Sequence, residues 1–239
     1  MGWRYILGEE DRLTDPRDLG FDASGNLWIA NRDDDRTFIV FEPGTDRQVY
    51  ERRKDAAANH FMEETAALSF DTCVQFGSCG ETRNTYDDTA PPNDFTGPVL
   101  WSTDLDIFAA QNPYGLGSHL DMLHQSPKCV GIAWERDNVY WAFDGKDDAI
   151  VCYDFALDHC VGRDDHADGV VHRLTEFEVA HAVGVPGPSR NMPNGSACTG
   201  ACWWRGWTSP AGSRSIRSTS TWPSTEPVSS TRSPRAESS

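Results

Sequence analysis

Gly25-Asn26-Leu27-Trp28-Ile29-Ala30-Asn31 is the stretch of sequence that decides the fold. Its first two residues tolerate positive φ angles and predict a hairpin turn, and the apolar residues after them predict the returning strand. Before the turn, Leu19 and Phe21 alternate with small or polar residues, as a half-buried strand requires. Residues 37–41 predict a third strand, so this part of the chain indicates a small antiparallel sheet.

A second copy of this pattern begins at Pro127. Pro127-Lys128-Cys129-Val130-Gly131-Ile132 has the same order of proline, spacers, apolar residue, glycine and apolar residue as the segment from Pro16 to Phe21. A turn at 136–138 follows, and strands are predicted at 139–145, 149–155 and 169–174. Four short antiparallel strands per unit are the anatomy of a β-propeller blade.

A more divergent unit lies between these two copies. Residues 65–70 fit its inner strand, 73–76 the next strand and 97–101 a later one. The polar stretch 81–98 is a long insertion, and long loops on repeat scaffolds often form the binding face. The sequence therefore predicts an all-β protein, a β-propeller of four-stranded antiparallel blades that is incomplete at about three blades.

The composition changes towards the C-terminus. No Asp occurs after Asp168, and Ser, Thr, Arg, Pro and Trp dominate, as in Trp203-Trp204-Arg205-Gly206-Trp207. We expect a partial propeller over residues 1–185 and an irregular or disordered tail over 186–239. Two interpretations of the tail stay open: a disordered Ser/Thr/Pro linker, and a frameshifted reading of a GC-rich gene, which we favour because disordered tails are poor in aromatic residues.

The blade phrases 25–31 and 138–144 resemble those of the NHL-repeat and related six-bladed propellers, over roughly residues 14–180. This resemblance implies a scaffold whose default use is to bind a protein or a small-molecule ligand at one face.

The net charge of −16 argues against nucleic acid and anionic membranes as partners. No apolar run is long enough to span a bilayer, and no signal peptide is seen at the N-terminus. The acidity suits either solubility alone or the binding of divalent cations.

Cysteine spacing predicts short-range disulfides. Cys73 and Cys79 flank Gly77 and Ser78, which would let the chain turn back and join the two thiols. Cys152 and Cys160 form a second pair of this kind. Disulfides favour an extracytoplasmic location, in tension with the absent signal peptide, so the localisation stays open.

Three histidines are candidates for a metal site. His60 precedes the inner strand of the middle blade, and His124 precedes that of the next blade, with His119 close by. Inner strands of a propeller line its central channel, so imidazoles entering them would converge as a Zn²⁺ site requires. The alternative is that these histidines cap strands or bond to loops.

Asn59-His60-Phe61 resembles a run in the propeller lyases that complete peptide C-terminal amidation. Those enzymes hold a catalytic zinc with three histidines from three blades. The resemblance implies a ligand role for His60 and, by position in its blade, for His124. A third ligand would fall in a later blade, where the tail disrupts the pattern.

A second candidate cation site lies in the polar stretch 158–169. Asp164, Asp165 and Asp168 before Gly169 are similar to a Ca²⁺ loop, although the spacing of such loops is not met. A solvated blade loop is the alternative. Asp121, between His119 and His124, could orient an imidazole.

The sequence favours a non-catalytic propeller that binds a partner at its loop-rich face. The alternative is a metal-dependent propeller lyase or hydrolase with a His-ligated metal at the central channel, where the ion would activate water or polarise a substrate oxygen. Cofactor expectations are limited to Zn²⁺ or Ca²⁺ at these sites.

Overall fold

The fold is taken from a computed structural model, which describes residues 3–83, 94, 96–110, 115–166 and 168–174. The predicted fold class is confirmed: the described chain is nearly all β and forms three four-stranded antiparallel sheets, the blades of a propeller-like arrangement. Every described residue belongs to one compact unit. Most of the insertion 81–98 and the whole predicted tail lie outside the described residues, as does the boundary at 185.

The first blade contains β1 (Pro16–Phe21), β2 (Leu27–Asn31), β3 (Arg36–Phe41) and β4 (Val49–Arg53). A short helix, α1 (Ala58–Phe61), leads to the second blade, and 3₁₀ turns lie at Glu9–Asp11 and Arg32–Asp34. The second blade contains β5 (Thr65–Phe70), β6 (Gln75–Gly80), β7 (Val99–Ser102) and β8 (Asp121–Met122). The third contains β9 (Ile132–Arg136), β10 (Val139–Asp144), β11 (Ala149–Asp154) and β12 (Val170–Leu174). In each sheet, strands adjacent in sequence are hydrogen-bonded neighbours.

The blades follow one another in space. The first strands β1, β5 and β9 contact each other in series, as expected for inner strands of successive blades. An aromatic core joins the first two blades: Trp28 is fully buried, 5.2 Å from the ring centroids of both Phe76 and Phe108. A second core, which includes Tyr140, Tyr153 and Leu100, joins the second and third blades.

One face of the first blade differs from the expected half-buried pattern. Leu19 and Phe21 are 57% and 53% exposed, because they share a face with Ile29 and Leu27 that points away from the second blade. Gly20 lies on the opposite face, where an added Cβ would lie 2.6 Å from the Phe70 ring. Glycine at this position lets the second blade approach closely.

The predicted Cys73–Cys79 disulfide is wrong, because each of these cysteines is disulfide-bonded to another partner. Cys79 bonds to Cys129 instead of Cys73, which links β6 to the segment before β9. Gly77 and Ser78 lie inside β6 and make no turn, so the extended chain from Gln75 to Cys79, roughly 13 Å long, carries Cys79 away from Cys73. Cys73 and Cys160 are each disulfide-bonded, whereas Cys152 is a free thiol, so the predicted Cys152–Cys160 pair is wrong.

Within the described ranges, no helix is long and apolar enough to cross a membrane.

Candidate functional site

The candidate site forms where the long connection between β11 and β12 packs against the segment leading into β8. The His159 backbone N–H donates to the Leu120 carbonyl at 3.1 Å, and the Gly162 N–H donates to the His119 carbonyl at 2.8 Å. These bonds bring the side chains of His159, His166 and Asp168 close to Asp121. The site therefore joins the second and third blades, on outer strands and loops instead of inner strands.

Asp121, His159 and Asp168 form a cluster suited to a metal ion. The His159 Nε2 atom lies 2.5 Å from Asp168 Oδ1 and 3.7 Å from Asp121 Oδ2. One ligand atom from each residue lies within 4.8 Å of the other two, and within the described part of the chain no other His, Cys, Asp or Glu group meets this criterion. Two carboxylates and one imidazole can hold a first-row transition metal.

Asp121 is the most unusual member of the cluster because it is completely buried. Its Oδ1 accepts hydrogen bonds from His166 Nδ1–H at 2.8 Å and from the Met122 backbone N–H at 2.7 Å. Its Oδ2 accepts no hydrogen bond from any described residue. Burial raises the pKa of Asp121, although the His166 hydrogen bond opposes the rise. A buried carboxylate oxygen facing an imidazole without a hydrogen bond is the arrangement that a cation would stabilise.

His159 and Asp168 already act as an ion pair. Burial lowers the pKa of His159, but the hydrogen bond to Asp168 and the nearby charge of Asp121 outweigh it, so the pKa is raised overall. For Asp168, burial raises the pKa, and the hydrogen bond from His159 overcomes this and lowers it. A metal at this position would replace the proton on Nε2 and keep both carboxylates ionised.

The structure does not bring the three predicted histidine ligands together. His119 is fully buried, its Nδ1 and Nε2 atoms each 2.8 Å from a backbone carbonyl, those of Leu116 and Arg163. Burial lowers the pKa of His119 to about 4 despite these contacts, so the imidazole is neutral and packed against the Phe61 ring. Each ring nitrogen faces a backbone carbonyl and the neutral ring donates to one of them, so His119 supports the fold and is not positioned as a ligand.

His60 and His124 do not join the metal cluster. His60 is in α1, which precedes the inner strand β5, and its ring contacts Phe61 at a centroid distance of 4.2 Å. It also lines a small cavity with Glu63 and Thr82. The His124 ring lies 5.9 Å from that of His166. Among described residues, neither belongs to a group of three potential ligands with converging atoms.

One of the three residues of the predicted cation loop belongs to the metal cluster. Asp168 joins the cluster, Asp165 Oδ2 lies 3.6 Å from His159 Nδ1, and Asp164 is exposed. The three do not form a calcium loop by themselves within the described residues. The sequence drew attention to this polar stretch and to Asp121, but no local signal pairs Asp121 with residues some forty positions later.

Comparison with models of known protein families and with curated proteins finds no match for this chain.

Proposed function

We propose that the protein is a non-catalytic, propeller-type binding module stabilised by a divalent transition metal. Asp121 Oδ2, His159 Nε2 and Asp168 Oδ1 are the expected ligands. The observation that carries this proposal is the fully buried Asp121 carboxylate, whose Oδ2 lacks a hydrogen bond from described residues and faces His159 at 3.7 Å. A buried carboxylate oxygen without a hydrogen bond is costly, and a bound cation would remove that cost.

The charge of the ligands supports a structural role. Two carboxylates neutralise the charge of a divalent ion, so the centre polarises water less than an ion held by neutral imidazoles alone. The metal would fix the β11–β12 connection on the second blade. That connection would then present a rigid loop surface, which includes exposed Leu157, to a protein or small-molecule ligand.

Solvent access favours a second candidate function, a metal-dependent lyase or hydrolase. The side chains of Asp168 and Asp165 are 38% and 68% exposed, so water or a substrate oxygen could complete the coordination of the ion. In this case the metal would act as a Lewis acid on the bound oxygen. This site lies between blades, away from the inner strands where the sequence placed a His-ligated metal.

The test is a titration of the full chain with Zn²⁺ after dialysis against EDTA. We expect one ion per chain, with affinity reduced at least about tenfold in His159→Gln and Asp168→Asn. His172→Gln, which changes an exposed imidazole on β12, is the matched control and leaves binding unchanged. Binding that survives both ligand substitutions but is lost in a His60→Ala, His124→Ala double variant would contradict the proposal and support the alternative ligand set.

Activity separates the two candidate functions. The Zn²⁺-loaded chain is assayed on an activated ester and on a peptide ending in α-hydroxyglycine, the substrate type of the lyases that residues 59–61 resemble. The binding-module proposal predicts no turnover above free Zn²⁺. Turnover that disappears in His159→Gln would favour the metal-dependent enzyme.

A further inference from the structure

Among the histidines that the structure describes, His166 is the one that contacts the candidate metal centre without belonging to it. It comes from the β11–β12 connection and is mostly buried, with its Nδ1–H donating to Asp121 Oδ1 at 2.8 Å. Its ring lies 5.9 Å from the rings of both His119 and His124. The hydrogen bond to Asp121 therefore orients the His166 ring, and the two neighbouring imidazoles lie beside it.

The two oxygens of Asp121 are consequently not equivalent. Oδ1 accepts the His166 bond and the 2.7 Å bond from the Met122 backbone, which together use both of its lone pairs. Oδ2 accepts none from described residues and lies on the His159 side of the carboxylate. Only Oδ2 is free to coordinate an ion, so Asp121 is a one-oxygen ligand as long as His166 holds Oδ1.

We infer that His166 sets the metal selectivity of this centre, favouring Zn²⁺-like ions over Ca²⁺ by keeping Asp121 monodentate. This inference rests on the proposed metal centre. Zn²⁺ and Co²⁺ accept few ligands and bind imidazole well, whereas Ca²⁺ takes six to eight oxygens and commonly uses carboxylates in bidentate form. His166 is thus a positioning residue that acts through Asp121 and does not contact the ion.

Two near-isosteric substitutions separate this role from simple packing. In His166→Asn the amide nitrogen takes the place of Nδ1 and can still donate to Oδ1. In His166→Gln the amide nitrogen takes the place of Nε2, so the donor is displaced. Both side chains are polar and of similar size, and thermal unfolding of each variant checks that it folds.

The probes are Co²⁺ and Ca²⁺, titrated into the full EDTA-dialysed chain. We expect His166→Gln to weaken Co²⁺ binding about 10- to 100-fold without weakening Ca²⁺ binding, while His166→Asn stays within about threefold of the wild type for both ions. The visible spectrum of bound Co²⁺ gives an independent readout, because four-coordinate Co²⁺ absorbs more strongly than six-coordinate Co²⁺. We expect this absorption to weaken in His166→Gln and to persist in His166→Asn.

The outcomes distinguish this inference from the proposed function. Wild-type protein that binds no Co²⁺ overturns both. If the wild type binds Co²⁺ but its preference for Co²⁺ over Ca²⁺ changes less than about threefold in His166→Gln, the selectivity role is overturned. The proposed metal centre is not contradicted by that result. Equal losses in the Asn and Gln variants also overturn the selectivity role, because packing rather than the donor position would then explain the effect.

Discussion

Asp121 is the side chain on which the free-energy argument for the candidate site depends. It is fully buried, it has a raised pKa, and its Oδ2 lacks a hydrogen bond from described residues. A buried polar atom without a partner typically costs about 1–3 kcal/mol. Such a cost is expected where a residue is retained for binding instead of stability.

Asp121→Asn should therefore change the stability in opposite directions with and without metal. In EDTA we expect the variant to be as stable as the wild type or up to about 2 kcal/mol more stable, because the buried charge is gone. With excess Zn²⁺ the wild type should become the more stable protein, because the variant has lost a ligand. Denaturant unfolding in both buffers measures the difference, with the exposed Asp164→Asn as control. A variant that is less stable in both buffers would contradict this account of Asp121.

For individual residues, the sequence predicted which residue types form the site better than it predicted which residues lie together. The polar stretch 158–169 and Asp121 were both recognisable, since His, Asp and Gly are dense there. His60, His119 and His124 were chosen because they come shortly before predicted inner strands. This choice did not anticipate that both nitrogens of His119 would face backbone carbonyls, which is a property of the packed segment around it.

At the level of strands and turns, the turns after β1 and β5 share a hydrogen-bond pattern that was not used to identify the repeat. Asp22 Oδ1 accepts the backbone N–H groups of Ser24 and Asn26. Asp71 Oδ1 accepts those of Cys73 and Gln75, at the same spacing of two and four residues. A Phe-Asp pair ends both strands, so this was a detectable sequence signal. The carboxylate organises the turn and fixes the register of the hairpin.

Asp22→Ala should destabilise the first blade by about 2–3 kcal/mol. Besides the turn, Asp22 Oδ2 accepts the indole Nε1–H of buried Trp28 at 2.8 Å, so the substitution leaves a buried donor without its charged partner. Asp33→Ala, an exposed residue beyond β2, is the control and should change stability by less than about 0.5 kcal/mol. Equal free energies of unfolding for the two variants would show that the turn contributes little.

The strands themselves were largely predictable, because apolar alternation and Gly or Asn turns mark most of them. The error at Gly77-Ser78 has a physical cause. An added Cβ at Gly77 would lie 2.8 Å from the Tyr140 ring, so this glycine allows close packing between blades and does not mark a turn. Local sequence cannot reveal that contact.

The Cys79–Cys129 bond links the second and third blades across 50 residues of sequence. Replacing both cysteines with alanine should lower the free energy of unfolding by about 2–4 kcal/mol, since the unfolded chain loses a cross-link. Cys152→Ala, which removes the free thiol, is the control and should respond less. Non-reducing peptide mapping checks the pairing, and a Cys73–Cys79 peptide would contradict the structure.

Across the whole molecule, stability comes from blades packed in series. Aromatic residues fill the core between the first and second blades, and Tyr140, Tyr153 and Leu100 contribute to the core between the second and third. The candidate metal centre adds a connection on the outer side of this second junction. The sequence predicted the blades because each is local, whereas the centre depends on chain segments that meet only after the blades have packed.

Metal binding should therefore stabilise the whole described fold cooperatively. Zn²⁺ at 100 times its dissociation constant is expected to add about 2.7 kcal/mol to the free energy of unfolding, and EDTA should reverse the gain. Thermal unfolding with and without Zn²⁺ measures this effect. Asp168→Asn, whose affinity we expect to fall at least about tenfold, should gain no more than about 1.4 kcal/mol at the same Zn²⁺ concentration. An equal shift in both proteins would point to nonspecific binding.

The central claim is tested most directly by an anomalous difference map from crystals of the Zn²⁺-loaded protein, recorded at the zinc absorption edge. The account predicts one strong peak about 2.0–2.2 Å from Asp121 Oδ2, His159 Nε2 and Asp168 Oδ1. A peak at His60 or His124, or no ordered peak in zinc-saturated crystals, would contradict it.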